Sequence, residues 1–405
     1  MKKLKNIGYT FIGNVIFSCI KWLILILVVR LTTPEQVGSY TFAVALTTPI
    51  MLFSNMRLRL RYVVEDDLSF KNARLLRNLL NILSIIIIIL ISLIIHPKYM
   101  IYMVLVALTK ILDLQSELYY AVLHKKQNFK YISLLQIGKS LVIIIPFSII
   151  MLLFKSVMIG LIIQIIAQII WLLLFESKVI KDSNVNKNKK VDRKLLLAVF
   201  ISGLPLGIVQ LLNSYNILIP RYVIENFLSI KLVGVFASIS YLLTIIDLFM
   251  NAISQNIIVK IKNAILNKNY KFLFKYTNRE VFLTSILLGV IVIVPVYFFK
   301  DIIIGLVYGD FYQQYSNVFL IIAISVIFNF QSWIFDTTLM AFKVYKLQLI
   351  TSIFNLFISI IASIFLIRIW GIYGAALSVV IINFSQAIIK YLICMYSINR
   401  SRRSC

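Results

Sequence analysis

The chain has 405 residues, 61% of them hydrophobic and 14% charged, with 41 Lys and Arg against 15 Asp and Glu for a formal net charge of +26. A soluble domain lies nearer 45–50% apolar and about 25% charged, so an ordinary globular protein is excluded. With 13 Gly, 7 Pro and 3 Cys, collagen-like, low-complexity and disulfide-scaffold classes fall too.

Taken in chain order, apolar stretches bounded by charge clusters fall at 7–30, 37–56, 79–95, 99–123, 131–154 and 156–176. A second series falls at 195–220, 233–258, 281–299, 316–342, 347–367 and 371–397. Each is long enough to cross a bilayer core as a helix, which satisfies its own backbone there. The expected fold is therefore an all-α polytopic membrane protein with 12 transmembrane helices. The first stretch carries Lys21 in its middle and shows no small-residue cleavage site, so it reads as an uncleaved span rather than a signal peptide.

The basic residues set the orientation. Thirty of them fall at the two ends of the chain and in the even-numbered loops, against seven in the odd-numbered loops. Lys and Arg collect on the cytoplasmic side, which puts both termini in the cytoplasm of a plasma (inner) membrane. It also removes nucleic acid as the reason for the positive charge. The polar, Asn- and Lys-rich link at 178–194 divides the chain into an amino-terminal bundle, 1–177, and a carboxy-terminal bundle, 195–405. A weak internal repeat agrees: Val37-Gly38-Ser39-Tyr40 opens span two and Val233-Gly234-Val235-Phe236 opens span eight, each after an arginine, Arg30 or Arg221. Repeated halves with binding between them are a common transporter plan.

No catalytic constellation is visible. His96 and His124 sit at opposite ends of different spans, so no metal site is expected. Gly138-Lys139-Ser140 imitates the end of a phosphate-binding loop, but the motif's first glycine would be Ser133 and the segment is mid-span. Outer loops of about fifteen residues or fewer leave little exposed chain for an active site. An enzyme is not expected, nor any cofactor.

Eight ionisable residues lie inside the spans: Lys21, Lys110, Asp113, Glu117, Lys139, Asp247, Asp336 and Lys390. Facing lipid, they would together cost about 20–28 kcal/mol. They must face an interior, a wet cavity or one another. Spacing arranges the polar residues as helix stripes: Asn14, Ser18 and Lys21 on span one; Lys110, Asp113 and Glu117 on span four; Ser240, Thr244, Asp247, Asn251 and Ser254 on span eight. Spans ten, eleven and twelve add Ser325, Asn329, Ser332 and Asp336, then Asn355, Ser359 and Ser363, then Asn383, Gln386 and Lys390. Lys21, Lys139 and Lys390 have no acidic residue one turn away, whereas Lys110 and Asp113 are spaced to pair; for Lys21 the alternative is a structural pair with Asp113 or Glu117 of span four.

These residues resemble a family. Gly13-Asn14, the run from Arg30-Leu31-Thr32-Thr33-Pro34-Glu35 through Val37-Gly38-Ser39-Tyr40, Pro49 within span two and Asn55-Met56-Arg57-Leu58-Arg59 are similar to the O-antigen and capsule flippases. These belong to the multidrug/oligosaccharidyl-lipid/polysaccharide exporter superfamily. Gly371-Ile372-Tyr373-Gly374-Ala375-Ala376 looks like the segment before that family's final helix. The resemblance implies two six-helix bundles in a V around a cationic cavity of alternating access. The implied cargo is a polyprenyl-pyrophosphate-linked oligosaccharide moved from the inner to the outer leaflet for capsule, O-antigen or exopolysaccharide synthesis. Membrane lipid, a glycan polymerase and glycosyltransferases would be the partners.

On this reading Lys21, Lys139 and Lys390, with Asn14, Arg57 and Arg59, are the candidates for the pyrophosphate and its cavity. Asp247, Asp336, Asp113, Glu117 and Lys110 are candidates for a coupling ion, H+ or Na+, or for fixed charge pairs. Arg57 and Arg61, four apart, are expected to share a helix face at the cytoplasmic mouth, with Arg59 on another. Two other functions stay open: a cation-coupled multidrug-type antiporter, against which the lysines argue, and a membrane glycan polymerase, against which the short outer loops argue.

Overall fold

A computed structural model of the chain describes residues 2–64, 68–179, 193–243, 246, 250, 257, 260–342 and 344–403. Helix is the only regular structure among the described residues. In chain order the principal helices are α1 (Lys2–Leu31), α2 (Pro34–Asn55), α3 (Leu58–Val64), α4 (Phe70–Ile94), α5 (Met100–Lys125) and α6 (Phe129–Phe154). There follow α7 (Val157–Trp171), α8 (Arg193–Phe227), α9 (Ile230–Tyr241), α10 (Val281–Tyr308), α11 (Ser316–Ala341) and α12 (Tyr345–Arg403). The chain packs as two compact units, Met1–Ser214 and Tyr215–Cys405. Residues 180–192 of the polar link lie outside the described residues.

Ten helical segments among the described residues are long and apolar enough to cross a membrane. One of them is two helices joined at a kink: within α12, Gly371 has φ 55° and ψ −132°. Only a residue without Cβ adopts that conformation cheaply. Three residues on, a Cβ at Gly374 would lie 2.0 Å from the Leu366 carbonyl oxygen. The two glycines of the Gly-Ile-Tyr-Gly motif thus do different work, one turning the chain and one letting backbone meet backbone. The expected boundary between 347–367 and 371–397 falls at this kink. Span eight begins as α9 and continues into 244–259, most of which lies outside the described residues. Twelve spans are compatible with this set.

Exposure has the sense of a protein in lipid. On α4, Leu79, Ile82, Ile86, Leu90 and Leu93 are exposed, while Asn72, Arg77, Asn81 and Ser84 are buried with Leu76, Leu80 and Ile88. The apolar face points outward and the polar groups inward, the reverse of a water-facing helix. Charge hid the start of this helix from the sequence reading, which began the span at 79. Lys71, Arg74 and Arg77 lie on its first turns, and Arg77 is 1% exposed.

Arg77 accounts for the end of α2. That helix opens with Thr33 accepting from the Gln36 amide, followed by Pro34 and Glu35, a favourable sequence for orphan N–H groups and the positive end of the dipole. It ends at Met56 and Arg57, both with positive φ. Arg77 Nη1 and Nη2 donate to the carbonyls of Ser54 and Asn55 at 3.1 and 3.2 Å, and Nη2 also to Asn55 Oδ1. A buried guanidinium thereby satisfies acceptors that no further helical turn could reach.

The repeat extends beyond the Val-Gly match. Thr33 caps α2 four residues before Val37, and Ser229 caps α9 four residues before Val233, accepting from the Leu232 amide. Both Val-Gly pairs are buried. Hydroxyl cap and close-packed Val-Gly are one structural unit used twice.

Candidate functional site

In the first unit, small residues bring α1, α6 and α7 close. A Cβ at Gly13 would come within 3.0 Å of Ser133 and Gln136 of α6, and one at Gly138 within 2.2 Å of the Trp171 ring. The Gly138-Lys139-Ser140 sequence is therefore a packing seam: Gly138 accommodates Trp171, and Ser140 bonds back to the Gln136 carbonyl. Asn14 Oδ1 accepts from Gln136 Nε2 at 3.1 Å, so the Gly13-Asn14 pair supplies first a close approach and then a hydrogen bond.

Past this seam the charges meet. Lys139 is 2% exposed, and its Nζ lies 2.8 Å from both Asp113 Oδ1 and Ser116 Oγ. Asp113 and Ser116 are three apart on α5 and so share a face. The other carboxylate oxygen, Oδ2, lies 2.9 Å from Lys21 Nζ on α1. Gln168 Nε2 of α7 donates to Oδ1 at 3.2 Å. Phe17, one turn before Lys21, places its ring 4.4 Å from the Lys21 ammonium and 6.0 Å from that of Lys139. Two ammonium groups share one carboxylate, and the side chain of Lys21 remains 46% exposed.

The second unit uses the same device. Lys390, buried on the second limb of α12, has its Nζ 2.7 Å from Asp336 Oδ2 and 2.9 Å from Ser332 Oγ. Ser332 and Asp336 are four apart on α11. In each unit a buried lysine is held by one aspartate and one serine spaced a helical turn apart on a neighbouring helix. One turn on, Cys394 Sγ donates to the Phe335 carbonyl.

Several sequence expectations change here. Lys21, Lys139 and Lys390 each have an acidic partner on another helix: Lys21 takes Asp113, one of the two acids weighed for it, while the partners of Lys139 and Lys390 were invisible to a one-turn search. Lys110 does not take Asp113, whose two oxygens are engaged by Lys21 and Lys139; it donates to the Val44 carbonyl at 3.2 Å and to Thr48 Oγ1 on α2. Arg57 lies in a left-handed turn ahead of α3 and is exposed. Arg61 is buried, donating to the Val199 carbonyl and to Ser202 Oγ of α8. The two do not present one face, because the chain turns at Met56 and Arg57 before the helix begins. Asp247 lies outside the described residues, as do Thr244, Asn251 and Ser254 of its stripe.

A second cluster lies in the first unit where α3, α5 and the end of α7 carry Arg59, Tyr120 and Glu176. The Arg59 guanidinium lies 5.8 Å from the centroid of the Tyr120 ring, and Glu117, one turn before Tyr120, acts on Arg59 and on Arg77 electrostatically. Tyr120 donates to Glu176 Oε1 at 2.6 Å. Glu176 closes a wide π turn, Leu172–Glu176, that ends the α7 span, and it is fully buried. Sequence reading passed over Glu176 because it stands where an apolar stretch ends, the usual place for a solvated charge.

Comparison with known proteins completes the picture. A family described as "Polysaccharide biosynthesis protein" matches residues 3–259. The chain belongs to that family. It is 28% identical over 400 residues to the capsular polysaccharide biosynthesis protein CapF of Staphylococcus aureus, covering 96% of this chain and 98% of the relative. Among solved structures it is similar to the lipid II flippase MurJ in an inward closed conformation, with a TM-score of 0.76 at 14% identity, covering 97% of this chain and 90% of that one. It is likewise similar to an inward-facing multidrug resistance MATE transporter of the MOP superfamily, with a TM-score of 0.73 at 13% identity over 98% of this chain and 99% of that one. At such identities the two structures give the fold, that of the MOP transporters, and the family gives the process, polysaccharide biosynthesis. The chain is a multi-pass membrane protein of that process.

Proposed function

We propose that the chain is a flippase that carries polyprenyl-pyrophosphate-linked oligosaccharide repeat units from the inner to the outer leaflet of the plasma membrane by alternating access. Both termini lie in the cytoplasm, and the units feed capsule or a related surface glycan. The observation that carries this reading is the Lys21–Asp113–Lys139 cluster. Two ammonium groups on one carboxylate leave a net positive charge at membrane depth, with Lys21 half-exposed. A pyrophosphate removed from water needs such compensation, and charge-assisted bonds to it are strong. Asn14, Gln136 and Gln168 beside the cluster are the kind of amide partners that sugars require.

Arg57 and Arg59 at the cytoplasmic mouth draw in the anionic head from the inner leaflet. Coupling to H+ or Na+ is assigned to the intramembrane acids, Asp247 first for its place at the middle of a polar stripe, then Asp336, Asp113 and Glu117 with Lys110. Glycosyltransferases supply the cargo and a polymerase consumes it.

The test is cellular. Depleting the protein in its own host should cause lipid-linked repeat units to accumulate facing the cytoplasm while surface glycan declines. Unchanged surface glycan with no accumulation would overturn the reading.

A further inference from the structure

The Glu176 carboxylate raises a question that the flippase reading leaves unanswered. It is fully buried, and among the described residues no lysine or arginine bonds to it. Oε1 receives the Tyr120 hydroxyl, and Oε2 has no hydrogen-bond partner. A buried polar oxygen left without a partner is costly.

The other face of the same tyrosine gives the answer. Tyr120 carries the Arg59 guanidinium over its ring, within the distance of a cation–π contact. A phenol whose O–H is drawn toward a carboxylate has a more electron-rich ring, and such a ring holds a cation more strongly. The hydrogen bond also fixes the ring's plane. Three elements contribute: Glu176 from the π turn after α7, Tyr120 from α5 and Arg59 from α3.

We propose that Glu176 and Tyr120 are positioning residues for Arg59, holding its guanidinium where a prenyl pyrophosphate entering from the cytoplasmic side meets it. Glu176 does not touch the cargo; it acts through the tyrosine. This inference rests on the flippase reading for its ligand and adds to it two residues that charge patterning cannot find.

The experiment measures binding of farnesyl pyrophosphate, a short prenyl pyrophosphate, to the full chain in lipid nanodiscs. Tyr120→Phe keeps the ring and loses the O–H; Glu176→Gln keeps an acceptor and loses the charge. Each should weaken binding about two- to threefold, a part of what a whole cation–π contact is worth, because the ring itself stays. In an Arg59→Gln background neither should weaken it further, because the group they position is gone. A purely structural role would weaken both backgrounds alike, and that result overturns the proposal, as does wild-type binding by Tyr120→Phe. If Glu176→Gln fails to fold, Tyr120→Phe carries the test alone. Wild-type binding by Arg59→Gln would also overturn it, while leaving the flippase reading to stand or fall on glycan export.

Discussion

Asp113 on α5 holds two ammonium groups at once, Lys21 of α1 through Oδ2 at 2.9 Å and Lys139 of α6 through Oδ1 at 2.8 Å. The lysines are not equivalent. Lys139 is buried and also bonded to Ser116, whereas Lys21 is half-exposed. On the flippase reading, the buried Lys139 is the structural partner of Asp113 and the half-exposed Lys21 is the one proposed to meet the cargo.

Removing the shared carboxylate should therefore be a stability lesion. Asp113→Ala leaves a buried ammonium uncompensated, which costs about 3–5 kcal/mol. The expected result is a clear fall in the detergent unfolding temperature, with much of it recovered by adding Lys139→Met. Wild-type unfolding of Asp113→Ala would show that the pair does not support the fold.

Lys21→Ala should behave differently. Asp113 keeps Lys139 and Gln168, so no buried charge is stranded. Protein abundance should stay normal while glycan export is lost, and Lys21→Arg should retain part of the export because charge matters more than shape. Normal export in Lys21→Ala would remove this residue from the site.

Arg77 is predicted to matter for folding alone. Its three bonds to Ser54 and Asn55 end α2, and charged hydrogen bonds of this kind are worth about 1.5–3 kcal/mol each when buried. Arg77→Met should lower thermal stability by at least one such bond, while Arg74→Met, at an exposed position of α4, should not. Equal stability of the two variants would contradict the capping role.

Topology gives the fourth prediction. Among the described residues Gln313 and Asn269 are both exposed. In a background lacking Cys19, Cys394 and Cys405, a cysteine at Gln313 should react with an impermeant reagent outside intact cells. One at Asn269 should react only after the membrane is opened. The reverse would invert the assignment of both termini to the cytoplasm.

How much of this was legible in the sequence follows from where each signal is stored. Span positions among the described residues largely were, because hydrophobicity and charge are local; even the break before Gly371 was visible. Helix ends were less so: α4 begins nine residues before its predicted start because buried Arg77 looks like a loop charge. Of the pairings, Lys21 with Asp113 was among the alternatives the sequence offered, and the others were not legible. Lys139 meets Asp113, and Lys390 meets Asp336 from 54 residues away, and no periodicity links helices that are distant in sequence. The serines at one-turn spacing from each aspartate were visible as polar stripes, but their role as lysine partners needed the packing. Glu176 was hidden by its position at a span's end.

The central claim is met most directly by reconstitution. The purified protein would be placed in liposomes carrying a fluorescent polyprenyl-pyrophosphate oligosaccharide, and the fraction accessible to an impermeant quencher followed with time. The account predicts that accessibility rises beyond the outer-leaflet share with the wild-type protein and not with Lys21→Ala of equal incorporation. Movement at the protein-free rate with wild-type protein under every imposed ion gradient would contradict it.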